Sequence, residues 1–172
     1  MKDYPNEEEG ENFIFRKKFR FIPNFTRPIK TFIELEVYPS NICCLSFYER
    51  KNGIGKNKYR VRSKLGSGHT RSIFKACLDA FLSLDGYHAL IFVASNDLNE
   101  LKELNPRYSA YQLFLERFLP DYENYLQKGS IKLNTLMLYH QNYRFKDQAD
   151  QFYLEFEKKI ETEMTSGEPD KI

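Results

Sequence analysis

The stretch KYRVRSKLGSGHTRSIFKACLDAFLSL, residues 58–84, changes from the alternating pattern of a β-strand to the spacing of an amphipathic helix, and this change decides the fold. Gly66 and Gly68 mark the point of change. Apolar residues then recur at spacings of one, three and four over residues 70–84, which predicts a helix that faces a core. The glycine-containing turn itself is typical of either a phosphate-binding loop or an ordinary connection.

Three strand candidates precede this helix. Residues 29–38 and 41–50 are separated by a Pro-Ser pair that suits a hairpin, and residues 56–63 follow a glycine-containing loop. These strands predict an antiparallel meander. Before them, residues 12–28 alternate aromatic and charged side chains between prolines, as in an edge strand or a wrapping arm.

Four further elements are predicted after the helix. Residues 88–94 form a continuous apolar run that is typical of a central strand, and residues 130–140 alternate as another strand does. Asn105-Pro106 is a favourable start for a helix over 107–119, and residues 145–163 have the spacing of an amphipathic C-terminal helix. The order β-β-β-α-β-α-β-α predicts an α+β fold with α/β character. We expect a mixed, mostly antiparallel sheet with helices 70–84 and 107–119 packed on it.

Length and composition indicate one domain. The 172 residues predict a single globular unit over 12–163, with a disordered acidic segment at 1–11 and a disordered tail at 164–172. No apolar run reaches the length of a membrane span, and an acidic segment follows Met1 where a signal peptide would be basic and then apolar. We therefore expect no membrane association and a cytoplasmic location. Three cysteines without C-x-x-C spacing favour neither a disulfide framework nor a metal site.

Residues 50–71 are rich in Lys and Arg and contain no Asp or Glu. Such a segment predicts an anionic partner, either a nucleic acid or an acidic protein, or contact with an acidic tail of the same chain; the alternative is a solvated strand face and loop. Tyr48, Tyr59 and His69 interleave with the basic residues and could stack on bases. The candidate anion-binding residues are Lys58, Arg60, Arg62, Lys64 and Arg71.

The order of elements over roughly residues 29–140, together with Gly66-Ser67-Gly68 before a helix, resembles the core of the GCN5-related N-acetyltransferases. In that family a turn patterned R/Q-x-x-G-x-G/A binds the pyrophosphate of acetyl-CoA through backbone amides and the helix N-terminus. Ser63 stands where the family has Arg or Gln. The resemblance implies a cofactor-binding set of Arg62, Lys64, Gly66, Ser67, Gly68 and Thr70.

A second part of that family's pattern falls on NPRYSAYQLFLERFLP, residues 105–120. The resemblance implies that Tyr111 is the catalytic acid that protonates the leaving thiolate, although Phe118-Leu119 replaces the family's Gly-Phe pair. The alternative is that Tyr111 is a ring at the edge of the core with its hydroxyl in solvent. No pattern singles out a general base among the strand acids Glu34, Glu36 and Glu49.

The chain also looks like small bacterial proteins of unknown function in the pattern and order of its elements: a basic strand, a helix that HTRSIFKACLDAFL matches, an apolar strand that LIFVASND matches and a helix that NPRYSAYQLF matches. The sequence favours a non-catalytic binding module that uses the basic face at 50–71, with an acetyl-CoA-dependent N-acyltransferase as the alternative. We expect helix 145–163 to pack through Phe145, Phe152 and Phe156 either on its own domain or on a second copy of the chain in a homodimer. A V-shaped gap between parallel strands at 58–62 and 88–94, beside converging amides at 62–70, would favour cofactor binding.

Overall fold

The computed structural model describes residues 2–4, 13–21, 30–49, 67–94 and 106–165. The described residues form seven strands and three α-helices. The strands are β1 (Lys2–Tyr4), β2 (Phe15–Phe21), β3 (Thr31–Tyr38), β4 (Ile42–Glu49), β5 (Ala89–Val93), β6 (Tyr125–Ser130) and β7 (Thr135–His140). The helices are α1 (Ser67–Leu82), α2 (Pro106–Phe118) and α3 (Lys146–Thr165).

The strands lie in one sheet in the order β1-β2-β3-β4-β5-β7-β6. Among the described strands, β4 and β5 are the only parallel neighbours. A parallel pair needs a long crossover connection, and α1 lies in the crossover between these two strands. The predicted mixed, mostly antiparallel sheet is therefore confirmed.

Side-chain alternation along the central strands sends successive residues to opposite faces of the sheet. On β5, Leu90 and Phe92 pack with α1 and α2, whereas Ala89 and Ile91 pack with α3. The two clusters of buried residues lie on opposite faces, so the described part of the chain is a three-layer arrangement with α1 and α2 on one side and α3 on the other. This arrangement explains why β5 reads as a continuous apolar run: both of its faces are covered.

The predicted helices 70–84, 107–119 and 145–163 are confirmed, with ends that differ by a few residues. The apolar stripe of α1 is buried at Ile73, Phe74, Cys77, Leu78 and Phe81. The helix stops before a turn that contains Gly86, whose φ of 80° lies in the left-handed region. Pro106 is the first residue of α2, as a missing N–H permits there.

The strand predicted over 130–140 is confirmed only for its second half, where β7 covers Thr135–His140. A hairpin occupies the region, in which β6 ends at Ser130 and β7 begins at Thr135, and these two residues are register partners. The turn between them contains Asn134 with a φ of 52°. The alternation of residues 130–140 was counted across this turn, and β6 was missed because Lys128 and Gly129 are unusual in a strand.

Several predictions fall on residues outside the described ranges. They include the strand 56–63, the N-cap Asn105 and the tail 166–172. Within the segment 1–11, for which the composition predicts disorder, Lys2–Tyr4 forms β1 and pairs with β2. In the part of the chain that the structure describes, no helix is both long and apolar enough to cross a bilayer.

Candidate functional site

The parallel strands β4 and β5 separate after a short paired region. Their pairing runs from Ile42 and Ala89 to Cys44 and Ile91. β4 nevertheless continues to Glu49, and β5 continues to Val93. The strands therefore open a cleft toward their carboxyl ends. The predicted V-shaped gap thus has a counterpart, but the described parallel neighbour of β5 is β4, and residues 58–62 lie outside the described ranges.

A cavity of about 350 Å³ fills this cleft. Phe74 on α1 and Tyr111 on α2 line it from one face of the sheet, and Phe156 on α3 lines it from the other. Since α3 packs on the opposite face from α1 and α2, the cavity passes between β4 and β5 and reaches both sides of the sheet. Two molecules could therefore meet in the cleft, one from each face.

The polar end of the cavity lies near the helix N-termini. Thr70 in the first turn of α1, Arg107 in the first turn of α2 and Glu49 at the end of β4 all line it. The first N–H groups of a helix have no acceptor within the helix, and its dipole favours anions there. Both helices thus start at the carboxyl end of the parallel pair, which is where open α/β sheets bind ligands.

The predicted phosphate-binding residues are only partly described. Ser67, Gly68 and Thr70 belong to the first turn of α1, and Thr70 lines the cavity. Arg62, Lys64 and Gly66 lie outside the described residues, as do Lys58 and Arg60. Arg71 is exposed, and its guanidinium carbon lies 4.9 Å from the centre of the Phe118 ring at the end of α2. The structure therefore brings Thr70 to the cleft and places Arg71 against α2.

Tyr111 lies inside an aromatic cluster at the cavity wall. Its ring centre is 4.8 Å from that of Phe74, 4.9 Å from that of Phe92 and 6.3 Å from that of Phe47, each in an edge-to-face arrangement. Burial raises the pKa of Tyr111 well above its usual range. The side chain is therefore a neutral phenol at physiological pH, which can donate a proton but not accept one.

The three acidic strand residues have different surroundings. Glu34 pairs with Lys18 at 3.1 Å and accepts a hydrogen bond from the Tyr48 hydroxyl at 3.2 Å. Glu36 lines the cavity but accepts a hydrogen bond from Arg16 Nε at 2.9 Å. Glu49 lines the cavity on the face of α1 and α2 and is only 6% exposed.

Three residues of the cavity lining were not predicted from the sequence: Arg107, Phe47 and Phe156. Arg107 could have been found, since it lies four residues before Tyr111 and therefore on the same side of α2. Its charge opposes the upward shift of the Tyr111 pKa, so the two side chains are electrostatically coupled. No local signal in the sequence shows that Phe156, from the last helix, reaches the same cavity.

The cavity cysteines are not activated nucleophiles. Burial, followed by the charge of Glu36, raises the pKa of Cys44 to about 12, and burial raises that of Cys77 further. Both thiols are therefore protonated at neutral pH, while nucleophilic attack needs the thiolate. Within the described ranges, no group of three or more His, Cys, Asp or Glu side chains could hold a metal ion.

Comparisons with known proteins return no match: no protein-family model, no curated protein and no solved structure is similar to this chain at a significant level. The cleft must therefore be interpreted from its own residues.

Proposed function

We propose that the cleft between β4 and β5 binds an acyl-CoA thioester and that the protein is an N-acyltransferase with a fold like that of the GCN5-related family. The observation that carries this proposal is the separation of the parallel pair after Cys44 and Ile91, with a cavity that reaches both faces of the sheet. An acyl donor could lie on one side and an amine on the other.

The residues of the cleft suit the parts of an acyl-CoA. The first turn of α1, with Ser67, Gly68 and Thr70, presents the positive end of the helix dipole to a phosphate, and Arg107 adds positive charge at the same end of the cavity. We include Gly66, Arg62 and Lys64 in this phosphate-binding group. Beyond Cys44, the edge of β4 that turns away from β5 can pair with the amides of an extended chain, as strand edges do in peptide recognition.

When bound, the thioester supplies an activated acyl carbon, and its transfer to an amine forms an amide, breaks the C–S bond and releases CoA as a thiol. The sulfur takes up one proton, and the amine nitrogen loses one. We assign Tyr111 the role of acid because it is a protonated phenol in the cavity wall; burial raises its pKa, and the charge of Arg107 opposes this shift and so favours proton donation. Glu49 is our candidate for the group that accepts the amine proton, because it is a buried carboxyl group that lines the cavity on the face of Tyr111.

A non-catalytic binding module remains the alternative. The sequence favours it because no base is identifiable and the family's Arg or Gln is absent at position 63. The position of Tyr111 supports catalysis, because its ring lines the cavity in contact with Phe47, Phe74 and Phe92. We therefore propose catalysis as the function that the cleft supports best.

The first test measures binding. CoA and acetyl-CoA should raise the melting temperature of the full chain, with a stabilisation of about 2.7 kcal/mol at a hundredfold excess over Kd. Gly68→Val should abolish the shift in melting temperature if the first turn of α1 binds phosphate, because the branched side chain would fill the space next to the backbone that the phosphate needs. Nucleic acid serves as the comparison ligand. Binding to nucleic acid that weakens steeply with salt, without any response to CoA, would instead support a polyanion surface at 50–71.

The second test measures catalysis. Tyr111→Phe should lower acyl transfer to an amine by about 10²–10⁴-fold while the CoA-induced melting shift remains. Tyr108→Phe is the matched control, since Tyr108 also lies on α2 and is buried but is absent from the cavity lining. Equal rates in wild type and Tyr111→Phe would remove Tyr111 as the acid. CoA binding with no transfer to any amine would leave the binding module.

A further inference from the structure

The cavity has a long apolar part that lies along α1. The α1 residues that line it run from Thr70 to Phe81 and include Ile73, Phe74 and Leu78. Eleven residues of helix correspond to about 16 Å at 1.5 Å per residue. The cavity therefore extends from the first turn of α1 to its last turn.

The end of this apolar part that lies farthest from the first turn of α1, called the deep end below, is lined by Cys77, Leu78 and Phe81 on α1, Leu115 on α2 and Leu90 on β5. All five residues are buried. Helix backbone groups are already bonded within their helices, so this end offers few partners to a polar ligand. Amide groups would lose hydrogen bonds to water on entering it, whereas an alkyl chain would lose none. The deep end is thus suited to hydrocarbon.

An acetyl group would leave the deep end empty. Apolar cavities lined by Leu and Phe side chains stay dry and take up apolar ligands. While such a cavity is empty, the side chains of its wall lack contacts on one side and lose dispersion attraction. A longer acyl chain would restore these contacts along the stripe of α1. The size of the cavity, about 350 Å³, falls within the range of cavities that bind small molecules.

We infer that the apolar end of the cavity, under Cys77, Leu78 and Phe81, is the binding site for a medium-chain acyl group, so that the donor is a medium-chain acyl-CoA and not acetyl-CoA. This inference rests on the proposed function. It replaces acetyl-CoA, which the family resemblance implies, with a donor that has a longer acyl chain.

The test compares the affinities of CoA, acetyl-CoA, hexanoyl-CoA and decanoyl-CoA for the full chain by calorimetry. Affinity should rise by roughly fourfold for each methylene that enters the apolar end, which corresponds to about 0.8 kcal/mol per buried CH₂. Equal affinity for acetyl-CoA and decanoyl-CoA would overturn the inference and leave the proposed function intact. Failure of every thioester to bind would overturn both.

Two substitutions at the deep end should change chain preference in opposite directions. Cys77→Leu adds volume to the wall and should lower the affinity for decanoyl-CoA by at least tenfold with little change for acetyl-CoA. Phe81→Leu removes volume and should move the preferred chain length upward. General destabilisation of the protein would lower the affinity for all thioesters together. Opposite shifts in chain preference would therefore show that Cys77 and Phe81 limit the length of the bound acyl chain. An unchanged order of affinities in both folded variants would overturn the inference.

Discussion

At the scale of single residues, Gly129 lies where its neighbours leave no room for a side chain. A Cβ atom at Gly129 would lie 2.6 Å from the Tyr108 hydroxyl oxygen and 3.0 Å from the carbonyl oxygen of Thr135. Tyr108 is 3% exposed, so its ring has little room to move. We expect Gly129→Ala to lower the free energy of unfolding by about 1–3 kcal/mol, measured by urea denaturation.

The matched control is the double variant Gly129→Ala/Tyr108→Phe. It lacks the Tyr108 hydroxyl group, which is the atom closest to the new Cβ atom. The double variant should recover part of the loss, with a coupling of more than about 0.5 kcal/mol. Additive losses would show that the contacts with Thr135 and Leu136, each at 3.0 Å, and not the contact with Tyr108, exclude the side chain.

Tyr111 and Thr70 could be named from the sequence because each lies at a recognisable place in a local pattern, whereas no pattern distinguishes Glu49 from Glu34 and Glu36. Thr70 follows the glycines that start a helix, and Tyr111 follows Pro106 on the next helix. Their position at the same cavity depends on the parallel pairing of β4 with β5. That pairing joins residues far apart in the chain, and no local spacing encodes it. For the same reason, Phe156 was not predicted to reach the cleft.

At the scale of elements, α3 stabilises the fold by covering one face of the sheet. Ala149 is fully buried against the cluster that contains Ile91 and Met137. We expect Ala149→Asp to lower the free energy of unfolding by about 3 kcal/mol or more, because a charge would be buried without a partner. Gln148→Asp is the control, since Gln148 is exposed on the same turn and its change should stay within about 0.5 kcal/mol.

Circular dichroism melting and urea titration distinguish these outcomes. If Ala149→Asp melts like the wild type, the packing of α3 on β5 and β7 contributes little, and the aromatic stripe of α3 would be available for a second copy of the chain. Loss of stability in this variant with a monomeric wild type would assign the stripe to its own domain. The contact of Phe152 with Tyr38, at 5.0 Å between ring centres, supports the second outcome.

The helices could be predicted with good boundaries because each has a stripe of apolar side chains at helical spacing and a clear start or stop. The β6–β7 hairpin could not, because its turn carries Leu133, which is buried, and its first strand is mostly exposed. An apolar residue in the turn and polar residues in the strand reverse the usual signals. Which side chains are buried at the edge of a sheet depends on the helix that covers them. The spacing of apolar residues along the strand does not show where that helix packs.

At the scale of the whole molecule, the buried thiols and phenols make the stability of the fold depend on pH. Burial raises the pKa of Cys44 and of Tyr143 to about 12, and the pKa values of Cys43, Cys77 and Tyr111 are also raised. In the unfolded chain these groups ionise near their ordinary values, about 8.5 for Cys and 10 for Tyr. Between about pH 8.5 and 12 the unfolded state therefore binds fewer protons than the folded state.

Stability should accordingly be fully present below about pH 8.5 and fall as the pH rises, because the folded state must stay protonated while the unfolded state does not. Each buried thiol contributes a slope that approaches about 1.4 kcal/mol per pH unit once its unfolded form is ionised. Urea titrations at pH 8, 9 and 10 measure this slope. Cys77→Ala should reduce it, whereas Leu78→Ala, which removes a buried group that does not titrate, should lower stability equally at every pH. Identical slopes in wild type and Cys77→Ala would show that the Cys77 thiol ionises as easily in the fold as in the unfolded chain.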